Sequence, residues 1–149
     1  MGMAHIKGSI AIRRPVEEVF DFVADERNEP AYNPQMRKVE KATPGPIGIG
    51  TVWRATTGTK RRLTSFDLEI TDFVRPRQLG SVATIGAVDI RGGLTFRPTD
   101  EGTRMDWSWD CRPKGLLKLA GPVITVVGRR QEQRTWTGLK RHLEQAAGG

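Results

Sequence analysis

The chain has 149 residues, with 24 Lys or Arg against 17 Asp or Glu, for a formal net charge of +7. Apolar residues make up 37% and charged residues 28%, which is too apolar for a disordered chain, and no run reaches the roughly 18 apolar residues of a membrane-spanning helix. The single cysteine, Cys111, excludes an intrachain disulfide and a paired-cysteine metal site.

No charged-then-apolar leader opens the sequence, so a cytoplasmic location is expected. The charge is unevenly spread. Arg112 to Gly149 holds eight basic residues against Glu132 and Glu144, while Glu17, Glu18, Asp21, Asp25, Glu26 and Glu29 crowd a short early stretch. A basic stripe can attract phosphates or an anionic surface, or it can simply be a solvated helix face. Only Trp136 interrupts it, whereas nucleic-acid readers interleave several aromatics, so no nucleic-acid partner is expected.

Residues 5–13 alternate Ile6, Ile10 and Ile12 against Lys7, Ser9 and Arg13, the period of a half-buried strand. Pro15 then suits the start of a helix, and Val16, Val19, Phe20 and Val23 recur at i, i+3, i+4 and i+7. The early acids face away from that stripe and suit the helix dipole. Asn28–Pro34, with two prolines, reads as a second short helix or a turn.

From Met36 to Cys111, β-branched and aromatic runs are divided by Pro44-Gly45-Pro46, Thr57-Gly58-Thr59, Arg75-Pro76-Arg77, Ile85-Gly86 and Asp100-Glu101-Gly102. Five breaks predict six strands, near 36–43, 50–57, 61–73, 78–84, 87–97 and 103–111. Their short connections make neighbours antiparallel. A long helix is expected over 114–145, kinked at Pro122 or beginning there after a shorter helix, with a fraying Ala-Ala-Gly-Gly tail. Its first half is apolar (Leu116, Leu117, Leu119, Val123, Ile124, Val126, Val127), and in its second half Trp136, Leu139 and Leu143 keep one buried face. A seven-stranded antiparallel sheet needs an apolar cover on one face, and only this helix is long enough to supply it. The predicted fold is therefore α+β, a single domain over 1–149 whose sheet curls around its terminal helix.

Alternation assigns the faces. Met105, Trp107 and Trp109 share one side of the last strand. Val88, Ile90, Leu94 and Phe96 share one side of the strand before it. Phe66, Leu68 and Ile70 oppose Asp67, Glu69 and Thr71, and Trp53 opposes Arg54. This inner face is apolar and rich in indoles. Phe66, Leu68, Ile90 and Leu94 read first as core, while Trp53, Trp107 and Trp109 suit core and ligand cavity equally. Gly121, Gly128 and Gly138 each cost the helix about 1 kcal/mol relative to Ala, a cost returned as close packing or as room for a ligand.

Catalytic signals are sparse. His5 and His142 lie near the chain ends, and no HExxH, nucleophile-elbow or paired-cysteine motif occurs. Gly48-Ile49-Gly50 lacks a third glycine and opens a strand, so it is not a phosphate loop. Arg130, Glu132 and Arg134, midway along the helix, are the weak catalytic candidates if they point inward. Solvation on the outer face is the simpler reading. An inward arginine would need a partner such as Glu132 or a ligand carboxylate.

The segments IAIRRPVEEVFDFVADERNEPAYNP, GPIGIGTVWR, LTSFDLEITDFVRPRQL and EGTRMDWSWD, followed by GLLKLAGPVITVVGRRQEQRTWTGLKRHLE, together resemble the SRPBCC (START) superfamily and within it the polyketide cyclase/dehydrase and lipid-transport group. The resemblance spans nearly the whole chain and rests mostly on structural residues. It implies a helix-grip fold with a deep apolar cavity; separately, the lack of metal-ligand and catalytic motifs leads to the expectation of no cofactor and no metal. Members of the family bind lipids, sterols or polyketides, and a minority catalyse cyclisation or dehydration. Where members commonly place Trp before Asn-Pro, this chain has Tyr32 before Asn33-Pro34, expected at the cavity mouth. The expected ligand-binding set is Tyr32, Trp53, Phe66, Ile90, Met105, Trp107, Trp109, Ile124, Gly128 and Gln131. Three functions follow as alternatives: binding or transport of a small hydrophobic ligand; cyclase or dehydratase chemistry in the same cavity; and electrostatic docking through the basic helix. A homo-oligomer is possible, and integral membrane association is not expected.

Overall fold

The inner-face alternation is realised in a single sheet. The computed structural model describes residues 4–148. Strands β1 (Ala4–Ile12), β2 (Met36–Lys41), β3 (Val52–Thr59), β4 (Arg62–Val74), β5 (Gln78–Ile85), β6 (Val88–Thr99) and β7 (Gly102–Pro113) lie in the order β1-β7-β6-β5-β4-β3-β2. Every neighbouring pair is antiparallel. The first strand pairs with the last, as in Ile6 opposite Trp109 and Ile10 opposite Met105, while the middle strands follow as hairpins. Register shifts at Met36/Lys38 and Ile70/Asp72 bend the sheet. A Cβ at Gly93 would run into the Leu79 carbonyl, so only glycine lets β6 and β5 approach so closely there.

Helix α1 (Val16–Ala24) follows β1. Its stripe Val16, Val19, Phe20 and Val23 is buried, with Glu17 and Glu18 in the first turn. Phe20 makes edge-to-face contacts with Phe73 and Phe96 at 5.4 and 5.3 Å. Asp21 receives both Nε and Nη2 of Arg75, at 2.7 and 2.8 Å, which ties α1 to the β4–β5 turn. A 3-10 helix, Glu26–Ala31, follows, capped by the Asp25 carboxylate accepting from the Arg27 amide at 3.1 Å.

A second 3-10 helix, Gly115–Ala120, precedes α2 (Gly121–Gly148). Pro122 thus sits in the first turn of α2, where its missing N–H costs nothing, and the helix continues past the expected end at Gln145. Of the tail expected to fray, Gly149 lies outside the described residues.

The two halves of α2 are seated differently. Trp136, Leu139 and Leu143 are buried in a cluster with Phe20, Phe96, Met105 and Trp107, which is the solid end of the molecule. Lys140 Nζ donates to the Ala11 carbonyl at 2.8 Å, and Glu144 accepts the Arg13 amide at 2.8 Å, pinning this half to β1. The apolar residues of the first half, apart from Ile124, face largely outward. No helix of the described residues is long and apolar enough to cross a membrane.

Of the helix glycines, Gly128 and Gly138 resolve towards close packing. A Cβ at Gly138 would collide with the Tyr32 carbonyl, and one at Gly128 with the Ile6 side chain. Replacing Gly138 by Ala would gain about 1 kcal/mol of helix propensity, but the obstacle is backbone and cannot turn aside. The expected result for Gly138→Ala is a net loss of about 1–3 kcal/mol, measured by urea denaturation; an unchanged or raised midpoint would show that α2 is not seated at this contact.

Candidate functional site

Between the first half of α2 and the inner face of the sheet lies a cavity of about 550 Å³, within the roughly 300–1,000 Å³ of small-molecule sites. Its walls include Phe66 and Leu68 from β4, Ile90 and Leu94 from β6, Trp109 and Cys111 from β7, and Ile124, Gly128 and Gln131 from α2. Strand alternation explains why these side chains converge, because each lies on the concave face of its strand. The outer face carries the alternate charges, among them the Arg54–Asp67 pair at 3.2 Å. A second pocket, of about 870 Å³, is lined by the charged side chains of Arg54, Asp67, Glu69, Asp89, Arg91 and Arg112 together with apolar residues such as Val52 and Val82.

One end of the cavity is acidic. Glu26 and Glu29 enter it from the 3-10 helix and Glu132 from α2. Because a 3-10 helix has three residues per turn, positions i and i+3 eclipse, and Glu26 and Glu29 project to the same side. Asn33 Nδ2 donates to Glu29 Oε2 at 2.9 Å and fixes that carboxylate. Burial pushes the Glu26 carboxyl well above its ordinary range, helped by the charge of Glu29 and a hydrogen bond to it, and by Asp25 and Glu132. Burial therefore favours the protonated form of Glu26. Glu132 is pushed up to about 7, first by burial and then by the charge of Glu29.

The indoles of Trp109 and Trp136 lie beside Glu132 and partly offset that rise. Neither Nε1 closes a hydrogen bond of good geometry, so both remain buried donors without a partner. Unpaired buried N–H groups are costly, and here two of them border a cavity. No Lys, Arg or His lines this cavity. Among the described residues, no cluster of His, Cys, Asp and Glu is arranged to hold a metal.

The residues expected from sequence divide cleanly. Phe66, Ile90, Trp109, Ile124, Gly128 and Gln131 line the cavity, as does Glu132. Tyr32, Trp53, Met105 and Trp107 do not. Met105 and Trp107 share the inner face but lie under the buried half of α2, where packing fills the space. Trp53 is fully buried beneath Arg27, whose guanidinium stands 5.7 Å from the ring centroid. Tyr32 is in the core, not at a mouth, with its ring 6.0 Å from those of Phe22 and Trp136. Burial and the neighbouring glutamates raise its hydroxyl well above the ordinary range. Arg130 and Arg134 are exposed on the outer side of α2 and do not face the ligand space. His5 is not a loose terminus: its Nδ1 lies 2.6 Å from Asp110 Oδ1 on the outer face. His142 stacks on Phe22 at 5.3 Å.

Sequence reasoning missed Glu26, Glu29, Asn33 and the cavity role of Trp136. The available signal was the i, i+3 glutamate pair directly after an amphipathic helix and just before Pro30. Extending the solvated face of α1 through this pair hid the change of direction at the 3-10 turn.

A seven-stranded curved antiparallel sheet closed by a C-terminal helix over a mostly apolar cavity defines the helix-grip fold of the SRPBCC superfamily. The sequence model described as polyketide cyclase / dehydrase and lipid transport matches residues 3–144, and the chain belongs to that family. Among solved structures, the chain is similar to the Zhui aromatase/cyclase from Streptomyces sp. R1128 (18% identity, TM-score 0.83, 99% of each chain covered). It is also similar to a START superfamily protein from Mycobacterium smegmatis (13% identity, TM-score 0.82, 95% of this chain and 98% of that one). Ara h 8.0201 shares the same fold at 14% identity, with a TM-score of 0.76 over 96% of this chain and 99% of that one. No curated protein matches the sequence.

Glu132 carries a testable signature. Its folded-state proton affinity exceeds that of the unfolded chain, so the native state binds the extra proton between about pH 4.5 and 7. Stability is therefore lost as pH rises through that window, the reverse of a salt-bridged carboxylate. Glu132→Gln removes the titration. The variant is expected to gain on the wild type by up to about 3 kcal/mol between pH 5 and pH 8, read from urea midpoints; a constant difference across that range would mean that Glu132 is not held protonated.

Proposed function

We propose that this protein binds a small hydrophobic molecule in the cavity beneath α2 and that the ligand presents hydrogen-bond donors, not an anion, to the glutamate end. The observation that carries this reading is the lining itself: apolar walls, three carboxyl groups and no cationic side chain. A ligand carboxylate there would face Glu29 and Glu132 without a counter-charge, a juxtaposition that costs several kcal/mol in a partly desolvated site. A hydroxyl or ammonium would instead donate to those carboxylates and lower their proton affinity. A sterol-like or polyphenolic molecule suits the site better than a free fatty acid.

The test uses three probes of one shape: 2-naphthalenemethanol, 2-naphthylmethylamine and 2-naphthoate, titrated calorimetrically at pH 8. The alcohol and the amine are expected to bind at least tenfold more tightly than the carboxylate. The double variant Glu26→Gln/Glu132→Gln should narrow that gap. Equal affinity for all three probes, or tighter binding of the carboxylate, would overturn the ligand class. No binding of any probe would overturn the cavity as a site.

A second reading is favoured by one observation, the Glu132 carboxyl held near neutrality beside two free indole N–H donors. A group poised near 7 both takes and returns a proton efficiently. In a cyclase or dehydratase, Glu132 would remove a proton from the carbon between two ketones. The indole N–H groups would stabilise the resulting enolate oxygen, and the carboxylic acid would return the proton to a departing hydroxyl. With a poly-β-ketone mimic, Glu132→Gln is then expected to lower kcat at least a hundredfold and to abolish a pH-rate limb near 7. Arg130→Ala and Arg134→Ala, on the outer face, should leave turnover unchanged. Turnover that survives Glu132→Gln with its pH profile intact would rule this chemistry out.

A further inference from the structure

Six large apolar side chains between residues 116 and 127 lie open at the surface: Leu116, Leu117, Leu119, Val123, Val126 and Val127. Leu116 and Leu119 are 89% and 85% exposed. Each fully exposed leucine forgoes about 1.5–3 kcal/mol of burial, and so many on neighbouring turns of two consecutive helices form a patch, not scatter. Val123 and Val127 also border the cavity, so the patch surrounds its outer wall.

The charge around this patch is of one sign. From Arg112 to Gln131 the sequence has five basic residues and no acid. Lys114 is 3.2 Å from Asp89, but Lys118, Arg129 and Arg130 are exposed and, among the described residues, in no ion pair. On α2 the outward positions Val123, Val126, Val127, Arg130 and Arg134 follow i, i+3, i+4, i+7 and i+11, so one stripe is apolar for its first turns and cationic for the next. A second copy of the chain would bring the same cations against themselves with no acid to meet them. An anionic bilayer surface meets both requirements at once, because its headgroups pair with Lys and Arg while its acyl boundary takes up leucine and valine.

We propose that the face formed by Gly115–Ala120 and the first turns of α2 docks on anionic lipid surfaces, seating the outer wall of the cavity against the membrane. Leu116 and Leu119 insert, and Lys118, Arg129 and Arg130 hold the headgroups. This does not depend on which ligand the cavity takes.

The full chain is sedimented with vesicles of phosphatidylcholine alone and with one quarter phosphatidylglycerol. Binding to the anionic vesicles is expected to be at least tenfold stronger and to fall at least tenfold between 50 and 500 mM salt. Leu116→Asp/Leu119→Asp should abolish binding, and Lys118→Glu/Arg129→Glu/Arg130→Glu should remove its salt dependence. Neither variant touches the cavity lining, so affinity for 2-naphthalenemethanol in solution should stay at the wild-type value; this separates a failed docking face from a failed cavity. Equal, weak binding to both vesicle types would overturn the proposal. So would a stable dimer in light scattering that Leu116→Asp/Leu119→Asp dissociates, since the face would then be taken by a second copy.

Discussion

Helix α2 is seated by two close approaches: Gly138 on the Tyr32 carbonyl, where backbone leaves no room for a side chain, and Gly128 on the Ile6 side chain of β1. Beyond Gly128 towards its C-terminus, Trp136, Leu139 and Leu143 fill the space under the helix. Before Gly128, Ile124 turns inward while Val123 and Val127 are largely exposed at the cavity's edge, and the volume beneath is left open. The cavity exists because one helix serves as core along half its length and as roof along the other half. Protein interiors pack as densely as organic crystals, so an open volume next to a filled one needs a wall that cannot collapse, and the curved sheet supplies it.

The acidic end follows from the same geometry. The 3-10 turn after α1 carries Glu26 and Glu29 beneath α2, where Glu132 descends from the opposite side. Burial first, and then the charge of Glu29, raises the proton affinities of Glu26 and Glu132, and the indoles of Trp109 and Trp136 moderate the second of these. A wholly apolar cavity would have sorted ligands by shape alone. This one, on the function proposed above, would also sort them by the sign of the charge they bring.

Most of the fold was legible in the sequence because period-two alternation and turn residues are local signals. The six runs between Met36 and Cys111, divided by five breaks, fell close to the observed strands, and Pro122 did mark the start of the long helix. The site was legible only in part. Alternation tells which face a side chain takes, so Phe66, Ile90 and Trp109 could be placed, but it does not tell how far along the face the packing ends. Trp107 and Trp109 are two residues apart on one strand, yet one lies under the filled half of α2 and the other under the open half. That distinction depends on where the helix rests, a long-range fact set by Gly138 and Tyr32. Glu26 and Glu29 escaped for a different reason: a single tight turn reversed the direction of a stretch that composition alone paints as solvated surface.

The uneven seating of α2 also divides the molecule's resistance to opening. The C-terminal turns are locked into the densest cluster and by Lys140 and Glu144 to β1, so they can come free only when the whole domain unfolds. The N-terminal turns bury less apolar surface, which places them at the low-stability end of the fold. If the cavity takes a guest as proposed, its exchange would need only a local excursion of the roof, at a free energy below that of global unfolding. The element that keeps the protein folded and the element that would have to yield are then successive stretches of one helix.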